Sequence, residues 1–168
     1  MKSTKRKTAL QRTAFHEAGH AAMCFAQERK FHHVTIVAEE AEGSLGHILY
    51  AKLKSVQADK GNDWKTRKSL ENVILCSLAG PAAEAIYAGR RNWRGARGDL
   101  RSMTNAATGI TFDAEEASAF VSWLWIRANN IVRARWRMVE ILAAALLERE
   151  TLSYKEAQTV LRDGVLRK

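Results

Sequence analysis

The sequence predicts a mainly α-helical domain with one small β-hairpin, and two observations predict it. Apolar residues recur at helical spacing over most of the 168 residues. Residues 31–37 and 45–51 read instead as two short strands around an acidic turn.

The elements follow in chain order. Over residues 8–30, Leu10, Ala14, Ala18, Ala21, Ala22 and Phe25 recur at spacings of three and four and mark one apolar helix face. In 31–37, Val34 and Ile36 alternate against His33, Thr35 and Val37, as in a strand. Glu39-Glu40-Ala41-Glu42-Gly43-Ser44 makes the turn, and 45–51 return as the second strand. Residues 52–68, polar and holding Gly61 and Asn62, read mostly as loop. A helix over 69–88 is closed by Gly89 and kinked after Gly80, because Pro81 removes a backbone donor. Residues 90–98 form a loop, and Asp99 opens a helix to about Gly109. Capping pairs Asp113 with Glu116 and Ser153 with Glu156 bracket two helices over 117–150, with a break near Asn129-Asn130. Trp123, Trp125 and Trp136 read as core and helix-packing residues.

Composition bounds the function. Hydrophobic residues make up 46% and charged residues 27%, a globular profile. With a single proline and no Gly- or Ser-rich linker, 1–168 reads as one domain with a basic tail at 1–8. That start has no apolar stretch behind it, so no secretory signal is expected. The longest apolar segments, 73–78 and 141–147, fall far short of the roughly 20 residues of a membrane span. Cys24 and Cys76 lie in apolar helical patterns and read as buried free thiols of a reducing, cytoplasmic compartment. The net charge is +9, clustered at 2–12, 90–101 and 127–137. Such charge permits an acidic partner. No DNA- or RNA-binding motif accompanies it, so nucleic acid is not read as a primary ligand.

The chemistry-bearing motif is His16-Glu17-Ala18-Gly19-His20, an H-E-x-x-H pattern. Helix residues four apart lie about 40° apart in azimuth and about 6 Å along the axis, so both imidazoles can reach one zinc ion. Glu17, about 100° round from His16, can face a water at the metal without ligating it and act as general base. Gly19, in the middle of this helix, costs about 1 kcal/mol relative to Ala, a loss explained if another backbone approaches closely there. A catalytic zinc site takes three protein ligands. For the third, the residues offer Glu84, Asp99, Glu115, Asp59, Asp63, His32, His33 or His47, and spacing does not choose among them.

The stretch Thr13-Ala-Phe-His-Glu-Ala-Gly-His-Ala21 closely resembles the zinc helix of the FtsH-type ATP-dependent metalloproteases. In the family's order, Val34-Thr-Ile-Val37 and Ser44-Leu-Gly46 look like its substrate-side strands, and Leu78-Ala-Gly-Pro-Ala-Ala-Glu84 like its next helix. Gly95-Ala-Arg-Gly-Asp-Leu100 with Thr104-Asn-Ala106 resembles the segment bearing its third ligand, and Leu146-Leu-Glu-Arg-Glu-Thr-Leu152 its C-terminal helix. The resemblance implies a zincin-like helical metalloprotease domain that binds Zn2+ through His16, His20 and Asp99, with Glu17 as base. It further implies a polypeptide substrate held as an extended strand beside Val34, Thr35, Ile36 and Val37, or beside Leu45, Gly46 and His47. Two departures stand out. Pro81 replaces the family's usual basic residue, and no Gly-x-x-x-x-Gly-Lys-Ser/Thr loop or membrane segment is present. The expected activity is therefore zinc-dependent endoproteolysis of unfolded or flexible polypeptides without ATP, and a separate ATPase or self-association is left open. The alternative is a zinc-loaded binding or regulatory protein without catalysis.

Overall fold

The computed structural model describes residues 8–38, 46–50, 63–93 and 96–166. The acidic turn at 39–44, Leu45, most of the 52–68 loop and Gly95 therefore lie outside the described residues.

Helix α1, Ala9–Ala26, begins where Thr8 and Gln11 exchange hydrogen bonds: Thr8 Oγ1 accepts from Gln11 N at 3.1 Å, and Gln11 Oε1 accepts from Thr8 N at 3.0 Å. Every residue from His16 to Cys24 is buried, so α1 is a central helix rather than a one-sided surface helix. Leu10, expected on its apolar face, is 52% exposed because it precedes the enclosed part.

Strands β1 (Phe31–Thr35) and β2 (His47–Tyr50) pair antiparallel as the expected hairpin, with Val34 opposite Ile48 and Thr35 opposite His47. A third strand was not expected. β3, Thr151–Ser153, pairs antiparallel with the other side of β1, giving the order β2-β1-β3. The chain turns into β3 through Glu150, whose φ is +63°, and Glu150 O accepts from Ile36 N at 2.9 Å.

Helix α2 runs Trp64–Ala88, starting earlier than the polar composition suggests because Asp63 caps it, accepting from Lys65 N at 3.2 Å and Thr66 N at 3.3 Å. Pro81 lies inside α2 without ending it, and Gly89 closes the helix at φ +76°. Helix α3 (Arg97–Thr108) precedes α4 (Ala114–Ala134), α5 (Trp136–Arg149) and α6 (Tyr154–Leu166). The α4–α5 break falls at Arg135, not at Asn129-Asn130. Asn129 Nδ2 instead donates to Trp125 O at 2.8 Å, so its amide folds back onto its own helix, which continues. Both capping pairs form: Glu116 N donates to Asp113 Oδ1 at 2.7 Å, and Ser153 N to Glu156 Oε2 at 2.7 Å.

α1 packs against α2 and α5, and α2 also packs against α3 and α4. The core between them is built from Met23, Val34, Ile74, Leu78, Leu124, Val132, Leu142, Leu146 and Leu152, all fully enclosed. Trp125 and Trp136 pack on it as expected, whereas Trp123 is 48% exposed beneath the Arg127 guanidinium. Cys24 and Cys76 are both free and buried, on facing helices. Among the described residues no helix is long and apolar enough to cross a membrane.

Candidate metal centre

The α1–α2 contact fixes the centre. A Cβ at Gly19 would lie 2.5 Å from Ala79 O and 2.6 Å from Ala83 Cβ, so the two backbones touch at this glycine, as its position in mid-helix suggested. One turn on, α2 presents Cys76, Gly80 and Glu84, spaced four apart and hence on one stripe. His20 Nδ1 donates to Cys76 O at 2.7 Å, and His16 Nδ1 lies 3.1 Å from Glu84 Oε2. Asn92 Nδ2 holds the other Glu84 oxygen at 3.0 Å. With each Nδ1 facing an acceptor on α2, each Nε2 is left for other partners, the arrangement that orienting acceptors impose on metal-ligating histidines.

Both Nε2 atoms meet Asp99, in the first turn of α3: His16 Nε2 lies 3.1 Å from Oδ2 and His20 Nε2 3.3 Å from Oδ1. One ligand atom from each of His16, His20 and Asp99 falls within 4.8 Å of the others. The remaining sequence candidates go elsewhere. Glu84 is behind His16, Asp63 caps α2, Glu115 is in the first turn of α4, His32 is exposed, and His33 and His47 face one another on the sheet. Asp59 lies outside the described residues. Gly98 does not provide a turn: it is helical and has no positive φ.

Glu17 is 4% exposed, and its Oε2 is buried without a hydrogen-bond partner. Burial raises its carboxyl above the ordinary range, against the pull of His16 and His20. Burial would lower the His16 imidazole, but its hydrogen bonds to Asp99 and Glu84 outweigh this and push it up to about 10. His20 is raised likewise, burial being outweighed chiefly by the Asp99 charge. Burial would raise Asp99, yet the two imidazoles hold it well below the usual carboxylate range. Three carboxylates around two imidazoles thus favour positive charge at their centre. A two-His, one-Asp donor set with an orphaned carboxylate beside it fits a catalytic zinc ion.

Of the expected substrate residues, Val34 and Thr35 lie in the central strand, whose backbone is paired on both sides, so no substrate strand can add there. Ile36 N is taken by Glu150 O and Val37 N by Thr35 Oγ1 at 3.1 Å. Among the described residues the outer strands are β2 and β3. Gly46, just before β2, packs against Glu17: a Cβ there would stand 3.2 Å from Glu17 Cγ. Sequence reasoning passed over Gly80, although its four-residue spacing from Glu84 was visible. A Cβ at Gly80 would fall onto the His20 ring. If His20 is a ligand, Gly80→Ala is expected to lower zinc affinity at least about tenfold by displacing its ring. Overpacking should also cost about 1–3 kcal/mol of stability. Zinc competition with a chromophoric chelator, beside thermal melting, checks it; wild-type values in both would mean that the ring has room.

The sequence model of a family described as Peptidase family M41 matches residues 2–113. An ATP-dependent zinc metalloprotease FtsH 1 from Symbiobacterium thermophilum is 29% identical, the match covering 89% of this chain and 28% of that protein. The ATP-dependent zinc metalloprotease YME1L of Drosophila melanogaster is 27% identical over 90% of this chain and 24% of its own length. The chain thus spans about a quarter of the length of these relatives.

Proposed function

The chain belongs to peptidase family M41, and from that premise we propose that it is a zinc-dependent endopeptidase acting on unfolded or flexible polypeptides without ATP. His16, His20 and Asp99 would hold the zinc. When bound, the ion supplies Lewis-acid polarisation and lowers the pKa of water. Glu17 is the general base: its carboxylate accepts a proton from the attacking water and returns it to the leaving amine nitrogen. Glu84 and the Cys76 carbonyl orient the two imidazoles. The substrate lies extended along the outer side of β2, where backbone hydrogen bonds give a sequence-tolerant grip.

The observation that carries this reading is the buried, unbonded Glu17 oxygen beside two oriented imidazoles. A module that only bound zinc would gain nothing from it, since burying an unsatisfied carboxylate is unfavourable. The 168 residues include no phosphate-binding Gly-x-x-x-x-Gly-Lys-Ser/Thr loop, so no step draws on nucleotide. Strand addition also needs an extended substrate, which a folded protein does not offer. Casein-like chains should therefore be cleaved and tightly folded proteins spared, equally with and without ATP, and chelation should stop cleavage until zinc is restored. Equal rates on folded and unfolded substrates, or chelator-resistant cleavage, would contradict the proposal.

A further inference from the structure

We propose that His33 and His47 form a second, weaker site for imidazole-binding transition metal ions, with ligands distinct from His16, His20 and Asp99. His33 lies on the central strand and His47 on the edge strand, diagonal neighbours because Thr35 is opposite His47 and His33 is opposite Leu49. Alternation along the strands puts both on the face opposite core-facing Val34 and Ile48. Both rings are half-buried.

Their Nε2 atoms stand 3.4 Å apart. That is at the long end of hydrogen-bond distances. It matches two nitrogens each about 2.0–2.1 Å from one tetrahedral ion, which lie about 3.3–3.4 Å apart. The ring arrangement repeats that of the first centre: centroids 5.4 Å apart at 70° for His33 and His47, against 4.9 Å and 73° for His16 and His20. Among the described residues no third ligand joins the two imidazoles, and such a two-imidazole site has modest affinity that follows the order placing Cu(II) above Ni(II) and Zn(II). An ion held there ties the edge strand β2 to β1.

The test uses the full chain loaded with zinc and titrated with Cu(II) in the presence of a weak competing chelator. Copper is followed by electron paramagnetic resonance, and zinc is counted separately. The expected result is a further ion per chain with hyperfine splitting from two imidazole nitrogens. His33→Gln and His47→Gln should each weaken it at least about tenfold while leaving zinc content unchanged, and His32→Gln should leave it intact. Copper uptake that survives His33→Gln, or that is lost with His32→Gln instead, overturns the site. Because neither readout is peptide cleavage, the proposal stands or falls apart from the peptidase reading.

Discussion

Glu17→Gln is expected to keep about one zinc per chain and to lower hydrolysis of an unfolded polypeptide by about 10²–10⁴-fold, the usual loss of a general base. The amide has the carboxylate's shape, and neither His16 nor His20 relies on Glu17 to fix its ring: those bonds go to Glu84 and to the Cys76 carbonyl. The metal should stay. What disappears is the capacity to accept a proton. Stability should hardly fall, because Oε2 makes no hydrogen bond in the fold that the substitution could break. Zinc content, cleavage rate and melting temperature measured on one preparation separate the roles. Wild-type cleavage would remove Glu17 from the mechanism, whereas lost zinc would make it a structural part of the metal centre.

The pairing of His16 and His20 on one helix was legible because its signal is local. Two histidines four apart on a helix must share a face, whatever surrounds them. Gly19 was legible for a related reason: a glycine in mid-helix is unfavourable unless something needs the space, and here Ala79 O and Ala83 Cβ do. The hairpin could be read from alternation, and the capping pairs from three-residue spacings. Each of these depends on residues close in sequence.

What the sequence left open is long-range. β3 is three residues long and has no periodicity of its own; it exists because the chain reverses at Glu150 and meets the free side of β1. Its arrival makes β1 central, which removes Val34 and Thr35 as an edge for substrate. Nor could composition locate the start of α2, since a polar first turn capped by Asp63 resembles loop. The orienting contacts of the histidines are still less visible. One is a backbone carbonyl, at Cys76, which carries no side-chain signature, and the other links residues 68 apart in the chain.

Asp99→Ala should all but abolish zinc binding and cleavage, while Glu84→Ala lowers zinc affinity by about 10–100-fold, the usual range for a residue that orients a ligand. The difference follows from which imidazole nitrogen each carboxylate meets. Asp99 lies on the Nε2 side of both rings, 3.1 and 3.3 Å away, where a shared ion would sit. Glu84 lies on the Nδ1 side of His16 alone, and Asn92 ties its other oxygen. Losing Glu84 frees one ring to rotate; losing Asp99 removes a donor and much of the negative charge that balances the ion. Glu84→Gln should fall between wild type and Ala, since its amide oxygen still accepts from Nδ1–H. A competing role for Asp99, as a helix-start carboxylate stabilising α3, would cost about 1 kcal/mol or less and leave zinc bound. Its oxygens, however, are turned to the histidines, and α3 starts at Ala96 without any side-chain cap. Zinc affinity should therefore fall in the order wild type, Glu84→Gln, Glu84→Ala, Asp99→Ala, with Glu115→Ala as an unaffected surface control. If Glu84→Ala strips the metal and Asp99→Ala does not, the ligand and its support have been assigned the wrong way round.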